Sequence, residues 1–181
     1  MAKTYNTIGT FTAGAILTAA QMNQIGTNVN NSRVPSMCKV ARVSSAQSIT
    51  PGAAAYAQWN SELYDTDGMY DAGSNTRITI GTVGVYSVQV YFYIQWSAAL
   101  SHYVVDLTQT TSGGTETTIA SDYVYDNGGN WVFEKRGCLA TSTSCAVGDY
   151  FRFRWTANVG GSSHLIAVGS SMSANWVGQV S

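Results

Sequence analysis

Charge is what this chain has least of. Only 10% of its residues are charged, nine Lys and Arg against ten Asp and Glu, and no run of either sign occurs. A nucleic-acid binder needs a basic patch or stripe to meet the phosphates, so that class of partner is excluded. Long apolar runs are also missing. Nothing approaches the ~20 residues of a membrane-spanning helix, and the opening MAKTYNTIGTFTAG lacks the apolar centre of a secretory signal. The expectation is synthesis in a cytoplasm, without export. Cysteine is scarce and odd in number, three in all: Cys38, Cys138 and Cys145. In a chain without an export signal this reads as free thiols. Cys138 and Cys145 bracket an expected turn, so a pairing across it stays open. Proline is nearly absent, with two residues.

What is present is Gly, Ser, Thr, Tyr and Trp, the material of strands and tight turns. The 181 residues suit one domain with a small appendage. One stretch alone reads as a helix, over about residues 18–30. Thr18-Ala19-Ala20-Gln21 fits a capping box, with Thr18 as N-cap and Gln21 at the third helical position. Met22, Ile25 and Val29 follow at spacings of three and four and share a narrow stripe. Asn30, Asn31 and Ser32 are expected to stop the helix, and Pro35 marks the boundary. A helix this short is marginal alone in water. Its stripe must rest on its own domain, on other copies of the chain, or on another protein.

From residue 37 the period changes to two. Tyr86, Val88, Val90, Phe92, Ile94 and Trp96 fall on one face of an extended segment. Phe151, Phe153 and Trp155 alternate with Tyr150, Arg152 and Arg154. Both patterns predict strands with one face in a core. Further strands are expected at 37–43, 55–59, 76–81, 102–109, 117–125, 131–140, 164–169 and 174–180, separated by Gly-rich turns such as DTDG, TSGG, DNGG and AVGD. About ten short strands define an all-β antiparallel sandwich or jelly roll.

Catalytic and metal readings find little support. Asp65, Asp67 and Asp71 in YDTDGMYD resemble the start of a calcium loop. The full pattern needs Gly at the sixth position and Glu at the twelfth, where this chain has Tyr70 and Thr76. The residues then read as a turn. His102 and His164 have no further ligand at metal-binding spacing. No nucleophile elbow or phosphate-binding glycine loop occurs. No enzymatic activity, cofactor or metal is expected. The aromatic residues are the remaining candidates: eleven Tyr and five Trp exceed what one core of this size requires. Tyr91, Tyr93, Tyr103, Tyr123 and Tyr125 are expected on loops or outer sheet faces, where such rings stack on sugars or fill a protein interface.

Two resemblances join these readings. FTAGAILTAAQMN resembles the N-terminal segment of many tailed-phage virion proteins, through Phe11, Gly14, Leu17, Thr18, Ala19, Ala20 and Asn23. Residues 37–181 resemble the jelly roll of tumour necrosis factor and the complement globular head. Gly84-Val85-Tyr86 matches that family's Gly-Val-Tyr motif, Gly148-Asp149 its turn before a late aromatic strand, and Trp176 with Gly178 its closing strand. The second resemblance implies a homotrimer. The first implies anchoring on a virion through residues 1–34, with Phe11, Leu17, Thr18, Gln21, Met22, Ile25 and Val29 as the anchoring or trimer-forming set. Residues 35–181 would then be a jelly roll displayed on the particle surface. Capsid decoration or a head fibre is favoured over a tail position, with capsid or tail proteins as partners. The alternative is a receptor- or glycan-binding head of a tail fibre or tail tip, which engages a host-surface glycan or protein.

Overall fold

The computed structural model describes residues 13–50, 52–96, 102–125, 133–158 and 164–179. Among them lie one α-helix, α1 (Ala19–Arg33), and twelve strands. These are β1 (Met37–Ala41), β2 (Gln47–Ile49), β3 (Ala54–Tyr56), β4 (Ser61–Asp65), β5 (Ile78–Thr79), β6 (Gly84–Trp96), β7 (His102–Thr110), β8 (Glu116–Tyr125), β9 (Phe133–Cys145), β10 (Tyr150–Asn158), β11 (His164–Ile166) and β12 (Ser171–Gly178).

The strands form two sheets, and every strand pair in them is antiparallel. In the first, β6 is central. It pairs with β9 on one side and with β12 and β11 end to end on the other. Beyond them, β12 pairs with β1, β1 with β4, and β11 with β2. In the second, β10 pairs with β7 on one side and with β3 and β5 on the other, and β8 closes the β7 edge. The fold is an antiparallel jelly-roll sandwich.

Period two decides which side chains meet between the sheets. Tyr86, Val88, Val90, Phe92 and Ile94 of β6 are fully buried, as are Phe151, Phe153 and Trp155 of β10. Phe92 and Phe153 stack across the core with ring centroids 5.6 Å apart. Burying side chains of this size contributes roughly 1.5–3 kcal/mol each, so these two strands carry much of the sandwich.

The short motifs are placed by contact. Trp176 packs against Gly84, where an added Cβ would lie 2.0 Å from the indole Nε1. Only glycine admits the ring there, which ties the start of β6 to the end of β12. Gly148 adopts φ +89° in the turn before β10. Asp149 holds that turn by accepting hydrogen bonds from the Ala146 and Ser112 amides at 2.9 and 3.0 Å.

Three expectations are corrected. The helix does not stop at Asn30–Ser32 but runs to Arg33; the Ser32 hydroxyl donates back to the Asn28 carbonyl at 2.9 Å, which satisfies it without breaking the turn. Strands β2 and β4 were not expected, and β9 reaches Cys145 instead of ending near residue 140. Cys138 and Cys145 therefore stand on one strand, Cys138 exposed and Cys145 buried, and all three cysteines are free. At about 3.3 Å per residue their Cα atoms lie roughly 23 Å apart, too far for a disulfide.

Candidate functional site

The helix is built as its sequence dictates. The Thr18 hydroxyl accepts from the Gln21 amide at 3.3 Å, and the Gln21 side chain accepts from the Thr18 amide at 2.9 Å. This closed capping box starts the helix without help from the sandwich. No residue of α1 is buried. Met22 is 53% exposed and Val29 48% exposed; Leu17 just before the helix is exposed, and Ile25 is half-buried. Phe11 lies outside the described residues. The helix leaves the sandwich where the Ser36 carbonyl accepts the Trp176 amide at 2.9 Å.

Among the candidate tyrosines, Tyr91, Tyr93, Tyr103 and Tyr123 do not converge on one site. Tyr91 and Tyr93 point outward from β6, on the face of the first sheet turned away from the core. Tyr91 is 41% exposed and lies opposite Cys138. Tyr93 is half-buried. The Arg136 guanidinium lies 4.4 Å from its ring centroid, its hydroxyl bonds to the Glu134 carboxylate, and Gln95 donates to it at 2.8 Å. Tyr123 is 61% exposed on β8 of the second sheet, so the thickness of the sandwich separates it from Tyr91. The Tyr125 side chain is outside the described residues. Tyr103 corrects the expectation of exposure: it is fully buried, stacked on Trp155 at 4.7 Å and 14° between planes. Tyr103, Val105 and Leu107 alternate on the inner face of β7, so its place in the core follows from period two.

The acidic turn does not gather its carboxylates. Asp65 accepts from the amides of Asp67 and Tyr70 at 3.0 and 2.8 Å. Asp71 accepts from the Gly73 amide at 2.9 Å, and Asp67 from the Thr82 hydroxyl at 2.8 Å. Each acid caps its own piece of backbone or loop. Among the described residues no group of three or more His, Cys, Asp or Glu is placed to hold a metal ion.

A polar network that the sequence reading missed covers the outer face of the second sheet. Glu116 accepts from Arg152, from Arg154 at 3.0 Å and from the Tyr56 hydroxyl at 3.0 Å. Arg154 also donates through Nε and Nη2 to Asp106 at 3.1 and 2.7 Å. The Arg152 guanidinium lies 3.8 Å from the Tyr56 ring centroid and 5.1 Å from that of Tyr150. Burial alone would raise the Glu116 pKa, but the Tyr56 hydrogen bond and the two arginines outweigh it and hold the carboxyl below its usual range. The alternation of Arg152 and Arg154 with core aromatics was the visible signal for this face. Their partners come from distant strands.

No family model matches the chain, and no curated protein matches it. Solved structures do. The globular domain of zebrafish complement 1qA protein is 14% identical with a TM-score of 0.52, covering 80% of this chain and 98% of that domain. Eiger TNF from S. frugiperda is 14% identical with a TM-score of 0.60, over 80% and 94% of the two chains. Murine APRIL is 10% identical with a TM-score of 0.55, over 78% and 98%. At such identities the likeness establishes the fold alone: the chain has the jelly-roll architecture of tumour necrosis factor and complement globular domains.

Proposed function

We propose that the chain is a structural protein of a tailed-phage virion. Residues 1–34 attach it to the particle, and the jelly roll of residues 35–181 projects from the particle surface as a homotrimer, with no catalytic role. The observation that carries this reading is α1, a helix with its own N-terminal capping box and no buried residue, whose Met22 and Val29 stay exposed. An apolar stripe that the sandwich does not cover gains stability only where another surface covers it. The likeness of FTAGAILTAAQMN to virion N-terminal segments supports a particle as that surface. The fold shared with complement and TNF domains supports the trimer that the sequence resemblance implies. Only Val34–Ser36 separate α1 from β1, so no shaft lies between anchor and head, which favours capsid decoration or a head fibre over a long tail fibre.

The test is a chain lacking residues 1–30. It is expected to keep the folded oligomer, seen as a trimer mass in solution, and to be missing from purified particles. Its recovery in particles at full occupancy, or a monomeric mass for the complete chain, overturns the reading.

The exposure of Tyr123 and Tyr91 favours one second reading, a head that binds a host-surface glycan or protein. Glycan-array or cell binding by the full chain, lost on Tyr123→Ala or Tyr91→Ala, would separate it from decoration alone.

A further inference from the structure

Period two turns Tyr150, Arg152 and Arg154 of β10 away from the core, and with them their cross-strand partners Tyr56 of β3 and Thr79 of β5. Arg77, two positions before Thr79, shares that face: its guanidinium lies 4.8 Å from the Tyr150 ring centroid. The Arg152 guanidinium lies 5.1 Å from the same ring and 3.8 Å from that of Tyr56. Cation and ring thus alternate in one file: Arg77, Tyr150, Arg152, Tyr56. At the far end of the face stands the exposed Tyr123, opposite Val104. Six residues along the strands and two strands across put it roughly 20 Å from Tyr150.

The charges on this face do not balance. Arg152 and Arg154 share Glu116 and Asp106, while among the described residues Arg77 has no carboxylate partner. All three cations stay within reach of solvent. The Arg152 and Arg154 side chains are 20% and 28% exposed, and Arg77 is half-buried. A sheet face offers a surface and no pocket, so it suits an extended chain over a small solute.

We propose that this face binds an acidic polysaccharide, one with carboxylates on its sugar rings. Arg77 meets a carboxylate, and Tyr150 beside it and Tyr123 at the far end stack on the C–H faces of sugars. The ion pairs of Arg152 and Arg154 hold the ground between them rigid. The alternation of ring and cation decides against an acidic peptide, whose carboxylates need cations and gain little from rings set between them. The proposal deepens the glycan reading above, rests on it, and gives it a chemical class.

The test is calorimetric titration of the full chain with polygalacturonate, alginate and hyaluronate. Their methyl esters serve as uncharged counterparts, and polyglutamate as an acid without sugar. A uronate polymer is expected to bind, more weakly as salt rises, and its ester more weakly still. Arg77→Gln should raise the Kd by about fivefold, the upper end for an exposed ion pair, and Arg77→Lys by less. If Arg77→Gln does not fold, Thr79→Glu sets an acid opposite Tyr150 and should weaken binding in the same way. The proposal is overturned if no uronate polymer binds, if polyglutamate binds equally well, or if neither Arg77→Gln nor Thr79→Glu weakens binding. Glycan-array binding that is lost on Tyr91→Ala but unmoved by Arg77→Gln also overturns it, and leaves the glycan reading itself standing.

Discussion

The Tyr56 hydroxyl meets the Glu116 carboxylate at 3.0 Å across 60 positions of sequence, and it does so beneath the guanidinium groups of Arg152 and Arg154. One carboxylate thus joins β3, β8 and β10 on the outer face of a sheet whose inner face is packed with Phe151, Phe153 and Trp155.

This sets a pH dependence. The folded-state pKa of Glu116 lies below its ordinary value, so the unfolded chain binds the proton more readily. The stabilisation is complete above the usual glutamate value of about 4.3 and is lost as pH falls through the folded-state value. Glu116→Gln is expected to cost about 1.5–3 kcal/mol at pH 7, the range for hydrogen bonds to charged groups. It should also flatten the acid limb of a plot of Tm against pH. An acid limb of unchanged depth would assign that loss of stability to other carboxylates.

Gly84→Ala places a methyl group 2.0 Å from Trp176 Nε1 and 2.6 Å from the Gly178 carbonyl oxygen. The end of β12 must move to admit it. Urea unfolding should register a loss of about 1–3 kcal/mol, as overpacking does elsewhere, with an altered Trp emission spectrum.

Thiol chemistry should sort the cysteines by face. Burial pushes the Cys145 thiol up to about 12 and raises Cys38 as well, so neither offers thiolate at pH 8. Alkylation of the native chain followed by peptide mapping should find the label on Cys138, with Cys38 and Cys145 labelled only after denaturation.

Met22→Asp with Val29→Asp puts two charges on the stripe of a helix that buries nothing. The sandwich should melt within a degree or so of wild type, because no core contact is lost. Incorporation into particles should fall at least tenfold if the stripe is the contact surface. Normal incorporation would remove the helix from the attachment account.

What the sequence made legible was whatever repeats within one element. β6 and β10 were visible because alternate residues are apolar over a long run. The helix start was visible because Thr18 and Gln21 are three apart and need no distant partner. β4 was not, since SELYD has no alternation and Leu63 and Tyr64 are exposed at the sheet edge. The end of β9 was missed because TSTSC has the composition of a turn; its thirteen-residue register against β6 is imposed by pairing. Tyr103 is no surplus ring: Tyr103, Val105 and Leu107 stand in phase on the inner face of β7. The Glu116 network draws on four strands, so no local pattern could assemble it.

The helix and the last described strand share one pole of the sandwich, where Ser36 meets Trp176 and Met37 pairs with Asn175. A bulky group attached near Asn175 or Trp176 would therefore crowd the helix base. A graft at the opposite pole, beyond Trp96 or Asn158, would stand clear of it.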